Sequence, residues 1–287
     1  MLLLYWTNSS VDKEKQSGSI PVLTYHGISV NSDQYRGNDH IALQQDLDLI
    51  HSLGKRIIPL AMIADWVSGR IPNDAATDGV GLSFDDGSWF DFYDLDHPLW
   101  GKQRSMLNIL RDFGQQAKVS VHATSFVIAS PDARNILDKT CMIGEGWWTD
   151  DWWAEASTSG LMAIGNHSWD HRHPTLPEYQ HAKGGFEQVD DYQQNFRQIV
   201  GAQHYIAKVI SRGGAKLFAY PFGQYSDYTR QKFLPKHGVH SGLQGAFTTA
   251  GRPAQRSDDP WAIPRLVFGE HWDSSAGLRE ILTASEG

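Results

Sequence analysis

The chain of 287 residues has a single cysteine, Cys141, so no internal disulfide and no cysteine zinc cluster can form. It also lacks a long apolar run. The opening "MLLLYWTNSS" carries six apolar residues with no positive charge before them and no small-residue cleavage pattern after them, too short for a membrane span or a signal core. Residues 1–19 are therefore expected to be an extension, readable as a trimmed signal or anchor remnant, ahead of one domain over 20–287. Basic residues are scarce and scattered: 25 Lys and Arg against 33 Asp and Glu give a formal net charge of -8. Nucleic acid is excluded as a partner on that ground, because phosphate binding needs a concentrated basic patch. Internal repeats, low-complexity tracts and Pro/Ser-rich linkers are absent too, which favours a single domain.

What is abundant is aromatic and imidazole: 11 Trp and 13 His. Trp is a flat platform for sugar rings and His the commonest metal ligand, although core packing and plain surface absorb both. Strand-like runs are read near 20–28, 56–60, 79–85, 118–128, 161–166, 216–222, 243–249 and 262–268. Helical patterns fall near 41–53, 61–68, 102–113, 186–211, 228–236 and 275–284. Strands alternating with helices are the signature of a parallel sheet. The expected fold is α/β, a distorted (β/α)7-type barrel in one domain. In such folds ligands bind where strands hand over to loops at their carboxyl ends. Five polar clusters land there: "YHG", "SFDDG", "GNHSWDH", "AYPFG" and "FGEHW".

Asp85 and Asp86 stand side by side where a strand ends. Adjacent carboxylates repel, and burial makes the pair tolerable only beside a compensating cation. A solvated turn is the plainer account, since Asp and Gly favour turns for their own backbone reasons. His167 and His171, four residues apart, can share one divalent ion if the segment coils into a turn. Two imidazoles and one carboxylate leave positions open, as in catalytic rather than structural sites. His173 is an alternative to His171 as ligand.

These two motifs, Ser83-Phe84-Asp85-Asp86-Gly87 and His167-Ser168-Trp169-Asp170-His171, resemble those of the polysaccharide deacetylases of the NodB-homology type, carbohydrate esterase family four. The resemblance runs from Tyr25-His26-Gly27 through "ATSFVI" and "AYPFG" to the final strand, and is nearest the branch acting on poly-N-acetylglucosamine. It implies Asp86, His167 and His171 as ligands of a divalent metal, most simply Zn with Co, Ni or Mn as alternatives, and Asp85 as catalytic base. It implies a backbone N–H near Tyr220 for the oxyanion and His271 as general acid, with His26 as another histidine on the rim. The family's arginine before Pro-Tyr is missing here, where Lys216 and Ala219-Tyr220-Pro221-Phe222 stand; Arg265 is the candidate replacement.

"GEGWWTDDWW" (144–153) alternates Trp with Thr and Asp, a poor core pattern. It is expected to be an exposed platform for pyranose stacking, with Trp147 and Trp148 in it and Trp89 and Trp272 lining the same groove. The function implied is metal-dependent removal of N-acetyl groups from a β-linked N-acetylglucosamine polysaccharide, at the cell envelope or outside the cell. The alternatives are an O-acetyl esterase of the xylan type, a catalytically weak carbohydrate-binding module, and a hydrolase of small cyclic amides. No integral membrane segment is expected.

Overall fold

A computed structural model describes residues 18–182, 185–211 and 214–284. The expected extension lies outside the described residues as far as position 17. Ten strands are present among the described residues: β1 (Val22–His26), β2 (Arg56–Ile57), β3 (Gly79–Asp86), β4 (Leu95–His97), β5 (Gly101–Gln103), β6 (Ala123–Val127), β7 (Met162–Asn166), β8 (Leu217–Ala219), β9 (Gly245–Phe247) and β10 (Leu266–Val267). Seven of them form one parallel path in the order β10-β1-β3-β6-β7-β8-β9, with β2 added beside β3. The strands β1, β3 and β6 read as near-continuous apolar runs, as strands covered on both faces must.

The curl nearly closes. Ile263 bridges β9 through Phe247, and three residues later Leu266 pairs with Leu23 of β1. Residues 263–267 therefore cross from one edge of the sheet to the other. The result is a distorted (β/α)7-type barrel, and its C-terminal rim carries the ends of β1, β3, β7, β8 and β10.

Helices cover the outside. These are α1 (Asp39–Ser52), α2 (Leu60–Val67), α3 (Met106–Ala117), α4 (Pro131–Cys141), α5 (Trp153–Thr158), α6 (Tyr192–Asn195), α7 (Ala202–Ile210) and α8 (Ser275–Ala284). Short polar side chains start them: Asn38, Ser105, Ser130 and Asp191 each accept a backbone N–H of the first turn of α1, α3, α4 and α6. The largest core cluster packs α1, α3, α7 and α8 on the sheet through Leu43, Leu47, Leu107, Leu110, Ile206, Leu278 and Leu282.

Several expected elements differ. The stretch read as a helix over 102–113 opens with the second strand of a hairpin, β4 to β5, and α3 begins only at Met106 after its Ser105 cap. The strand read from 118 starts at Ala123, because Lys118 takes a left-handed conformation to end α3. The helix read over 186–211 is a short turn at Phe186–Gln188, then a helical run from Tyr192 to Ile210 that is π-helical over Phe196–Gly201. Helices α4 and α5 had no counterpart in the apolar periodicity, since α4 buries only Ala133, Arg134, Leu137 and Asp138.

Candidate active site

The end of β3 delivers the two carboxylates in opposite settings. Asp85 continues the strand, pairing with His26 of β1 and Phe126 of β6. Asp86 turns out of it at φ 76, and Gly87 follows at φ 73. A side chain at Gly87 is excluded twice over, by that φ and because a Cβ there would lie 2.5 Å from Val127. This turn keeps Asp85 buried inside the barrel mouth and swings Asp86 to its rim.

Arg265 lies at the other end of the chain and wholly inside the barrel. Its two terminal nitrogens donate to the two oxygens of Asp85 at 2.7 Å each, one of them also to Ser83 Oγ at 3.1 Å, while Nε donates to the Thr248 carbonyl at 3.2 Å. Burial alone would raise the Asp85 pKa; the Arg265 guanidinium outweighs it, with help from His167, and holds the carboxyl well below the usual carboxylate range. Arg265 is thus the buried cation paired with Asp85.

β7 ends in the second motif. Its Asn166 side chain accepts the Ser168 N–H, Ser168 Oγ accepts the His171 N–H, and Ser168, His171 and Arg172 all have positive φ. Such a run of left-handed non-glycine residues is backbone strain kept at a site. It folds the segment so that the rings of His167 and His171 come within 4.8 Å of one another. His167 Nδ1 donates to the Ala219 carbonyl at 2.9 Å, which leaves Nε2 free as an acceptor. That Nε2 is 3.7 Å from Asp86 Oδ1, and His171 Nε2 is 3.6 Å from the same oxygen. Ligand atoms of Asp86, His167 and His171 all lie within 4.8 Å of one another. Burial, and then the nearby His167 and His173 rings, push His171 well below its ordinary pKa, so the ring is neutral at neutral pH. One carboxylate and two imidazoles fit a divalent cation. His173 turns elsewhere, its Nδ1 to Thr175 and its Nε2 towards Cys141.

A cavity of about 340 Å³ opens over these groups, lined by His26, Asp85, Asp86, His167, His171, Phe222 and Glu270 together with an apolar wall of Ile28, Ile128, Leu137 and Trp148. All five polar clusters of the rim contribute to it. A profile described as polysaccharide deacetylase matches residues 73–240. The chain belongs to the polysaccharide deacetylase family.

No curated protein matches this family member's sequence. Among solved structures its fold is similar to IcaB from Ammonifex degensii, with a TM-score of 0.62 at 19% identity over 95% of this chain and 99% of that one. It is similar to the deacetylase PplD of Streptococcus pyogenes in complex with acetate (TM-score 0.59, 19% identity, 92% and 98% covered). A de-N-acetylase from Aggregatibacter actinomycetemcomitans aligns with a TM-score of 0.60 at 16% identity over 91% of this chain and 99% of that one.

Other expected site residues are placed differently in this deacetylase. His271 does not line the cavity: its Nδ1 accepts the Val267 N–H at 2.9 Å, closing a turn after β10. His26 does line it. The Tyr220 amide is spent on the Phe247 carbonyl at 3.0 Å and the Tyr220 hydroxyl on the Trp261 carbonyl at 2.8 Å, so Tyr220 is a buried sheet residue. Phe222, two positions on, faces the cavity at φ 56, ψ 13, and among the described residues its N–H donates to no partner.

The tryptophan segment is not an exposed platform. Trp148, Trp152 and Trp153 are 4%, 0% and 0% exposed. Arg134 of α4 draws the loop down by donating to the Trp148 carbonyl and to Asp150, with its guanidinium 4.9 Å from the Trp153 ring centre. Of the polar residues between the tryptophans, Asp150 thus serves a partly buried pair with Arg134, while Thr149 and Asp151 are exposed. Trp148 alone of the four lines the cavity, its Nε1 donating to the Asp86 carbonyl at 3.1 Å. Trp147 is half-buried edge-on to Phe90, and Trp89 is tied to Thr149 and Asp151. Trp272 is in the core, donating to Asp46 and packed on Tyr25 and Phe268.

Proposed function

We propose that this polysaccharide deacetylase is metal-dependent and removes N-acetyl groups from a β-linked N-acetylglucosamine polysaccharide. The observation that carries the reading is the division between the two neighbouring aspartates: Asp85 is locked to Arg265, and Asp86 is turned towards His167 and His171. A divalent ion, most simply zinc, held by Asp86, His167 and His171 would polarise the acetyl carbonyl and lower the pKa of a water.

Asp85, kept ionised and fixed in direction by Arg265, takes a proton from the attacking water as its oxygen bonds to the acetyl carbon. The Phe222 N–H is supplied by the cavity wall to the developing oxyanion, the part expected of an amide near Tyr220. His26, across the β1–β3 ladder from Asp85, is a cavity histidine outside the three ligands and passes a proton to the amine as the C–N bond breaks. The products are acetate and a free amine. The apolar wall of Ile28, Ile128, Leu137 and Trp148 suits an acyl methyl group. Action on such a polymer would place the protein at the envelope or outside the cell; among the described residues no helix is long and apolar enough to cross a membrane.

Acetate release from N-acetylglucosamine oligomers and from acetylated xylan, by metal-stripped protein before and after zinc, tests this. Release from the glucosamine oligomers, restored by zinc and lost in Asp85→Asn, is the expected result. Release from xylan alone would make the protein an O-acetyl esterase, and oligomer binding without release from either would make it a carbohydrate-binding module.

A further inference from the structure

His167 and His171 are prepared for a cation in different ways. His167 Nδ1 is spent on the Ala219 carbonyl, the far-nitrogen bond by which proteins usually aim an imidazole at a metal. His171 Nδ1 is buried and, among the described residues, has no hydrogen-bond partner. Its ring meets its neighbours by packing, with the Phe222 ring centre 4.5 Å away. The direction of His171 therefore has to come from its backbone, which sits at φ 61 with Arg172 after it at φ 48.

Asp170 anchors that backbone. Its Oδ1 accepts the Arg172 N–H at 2.9 Å, closing an Asx turn with His171 at its centre, while the Ser168 hydroxyl accepts the His171 N–H at 3.0 Å. The Asp170 carboxylate is buried and does not line the cavity, so it is not itself placed as a ligand. It is fixed from behind instead. Gln198 Nε2 donates to Oδ1 at 2.8 Å, and the Tyr179 hydroxyl and an Arg197 guanidinium nitrogen donate to Oδ2 at 3.0 and 3.1 Å. Gln198 belongs to the π-helical stretch Phe196–Gly201, and the Ile199 carbonyl of the same stretch accepts from Asn166 Nδ2 at 3.0 Å. One irregular helical turn thus grips the second motif twice, just before His167 and just before His171. Single π turns within α-helices are frequent at functional sites.

We propose that Asp170 is a positioning residue for the metal: by closing the turn over His171 it aims that imidazole and sets the affinity of the three-residue site. The inference rests on the reading of Asp86, His167 and His171 as metal ligands. The turn holds His171 Nε2 3.6 Å from Asp86 Oδ1, so binding does not have to order this ligand. Without it, the left-handed conformations of His171 and Arg172 lose the bond that offsets their strain, and the segment relaxes. Affinity falls while the fold stays.

The test is the zinc affinity of metal-free protein, read by competition with a chromophoric chelator, with the urea midpoint of the metal-free chain measured beside it. Asp170→Ala is expected to bind zinc about tenfold or more weakly than the wild type, the range usual for residues that orient ligands. Asp170→Asn keeps an oxygen to accept the Arg172 N–H and is expected to stay within about threefold. Tyr179→Phe gives up a contact on the far oxygen only; it is expected to lower the urea midpoint and leave zinc affinity alone, which separates aim from stability. Gln198→Met, which alters no residue of the motif, is expected to fall between Asp170→Asn and Asp170→Ala. Wild-type affinity in Asp170→Ala, or in Gln198→Met where Asp170→Ala does not fold, would overturn the positioning role. So would a loss in Asp170→Asn or Tyr179→Phe equal to that in Asp170→Ala, since charge or stability rather than the turn would then set the affinity. A wild type that takes up no zinc would instead overturn the metal reading, and this inference with it.

Discussion

Arg265 holds both oxygens of Asp85 at 2.7 Å from a position 180 residues further along the chain. The guanidinium is fully buried and reaches Asp85 from the segment that joins β9 to β10, so the last turn of the barrel orients the residue proposed to start the chemistry.

Removing that guanidinium leaves an uncompensated buried charge, at a cost of roughly 3–5 kcal/mol. Arg265→Gln is therefore expected to lower the urea midpoint and to let the Asp85 pKa rise. The acid limb of the profile of kcat/KM against pH moves to higher pH in consequence. Arg265→Lys keeps the charge but not the two-pronged grip, and is expected to recover stability better than rate. An unchanged acid limb in Arg265→Gln would show that Asp85 is not the group titrating there.

In the proposed mechanism His26 takes the proton-donor part that the family resemblance implies for His271. Turnover of N-acetylglucosamine oligomers by His26→Ala is expected to fall by roughly 10²- to 10⁴-fold, the usual worth of a positioned general acid, while His271→Ala stays near wild type. The reverse pattern would restore His271 to the proton-donor role and imply that the turn after β10 opens.

The buried Asp39, whose carboxylate accepts the His26 backbone N–H at 2.7 Å, gives the fold a pH dependence of its own. Burial raises its pKa from 3.8 to about 7 against the opposing pull of His26. The folded state thus keeps a proton that the unfolded chain gives up near pH 4, so this residue's contribution to stability declines as pH rises between those values. The full decline is of order 4 kcal/mol. Urea denaturation of the metal-free protein is expected to show Asp39→Asn losing less stability than wild type across that window. Parallel losses would mean that Asp39 is ionised in the fold throughout it.

Much of this architecture is legible in the sequence because parallel strands buried on both faces leave uninterrupted apolar runs. The carboxylate pair and the paired histidines sit at the ends of two such runs, at β3 and β7. Arg265 is legible once the family arginine is seen to be missing, since a buried base needs a cation and "AIPRLVF" puts one in a strand. What misleads is the burial of polar residues by specific partners. Asp150 between tryptophans reads as surface until Arg134 is found beneath it, and Arg134 belongs to a helix whose buried face is half polar. The difference between Tyr220 and Phe222 depends on which amide the β8–β9 ladder uses. The likeness of His26 and His271 as rim histidines is broken by a single turn closed on Val267.

The central claim is that two adjacent aspartates do different work. Metal content and turnover, measured side by side on Asp85→Asn and Asp86→Asn, test it most directly. Asp85→Asn is expected to hold one equivalent of zinc as the wild type does and to be inactive, and Asp86→Asn to lose zinc and activity together. Loss of zinc from Asp85→Asn with its retention by Asp86→Asn would contradict the account.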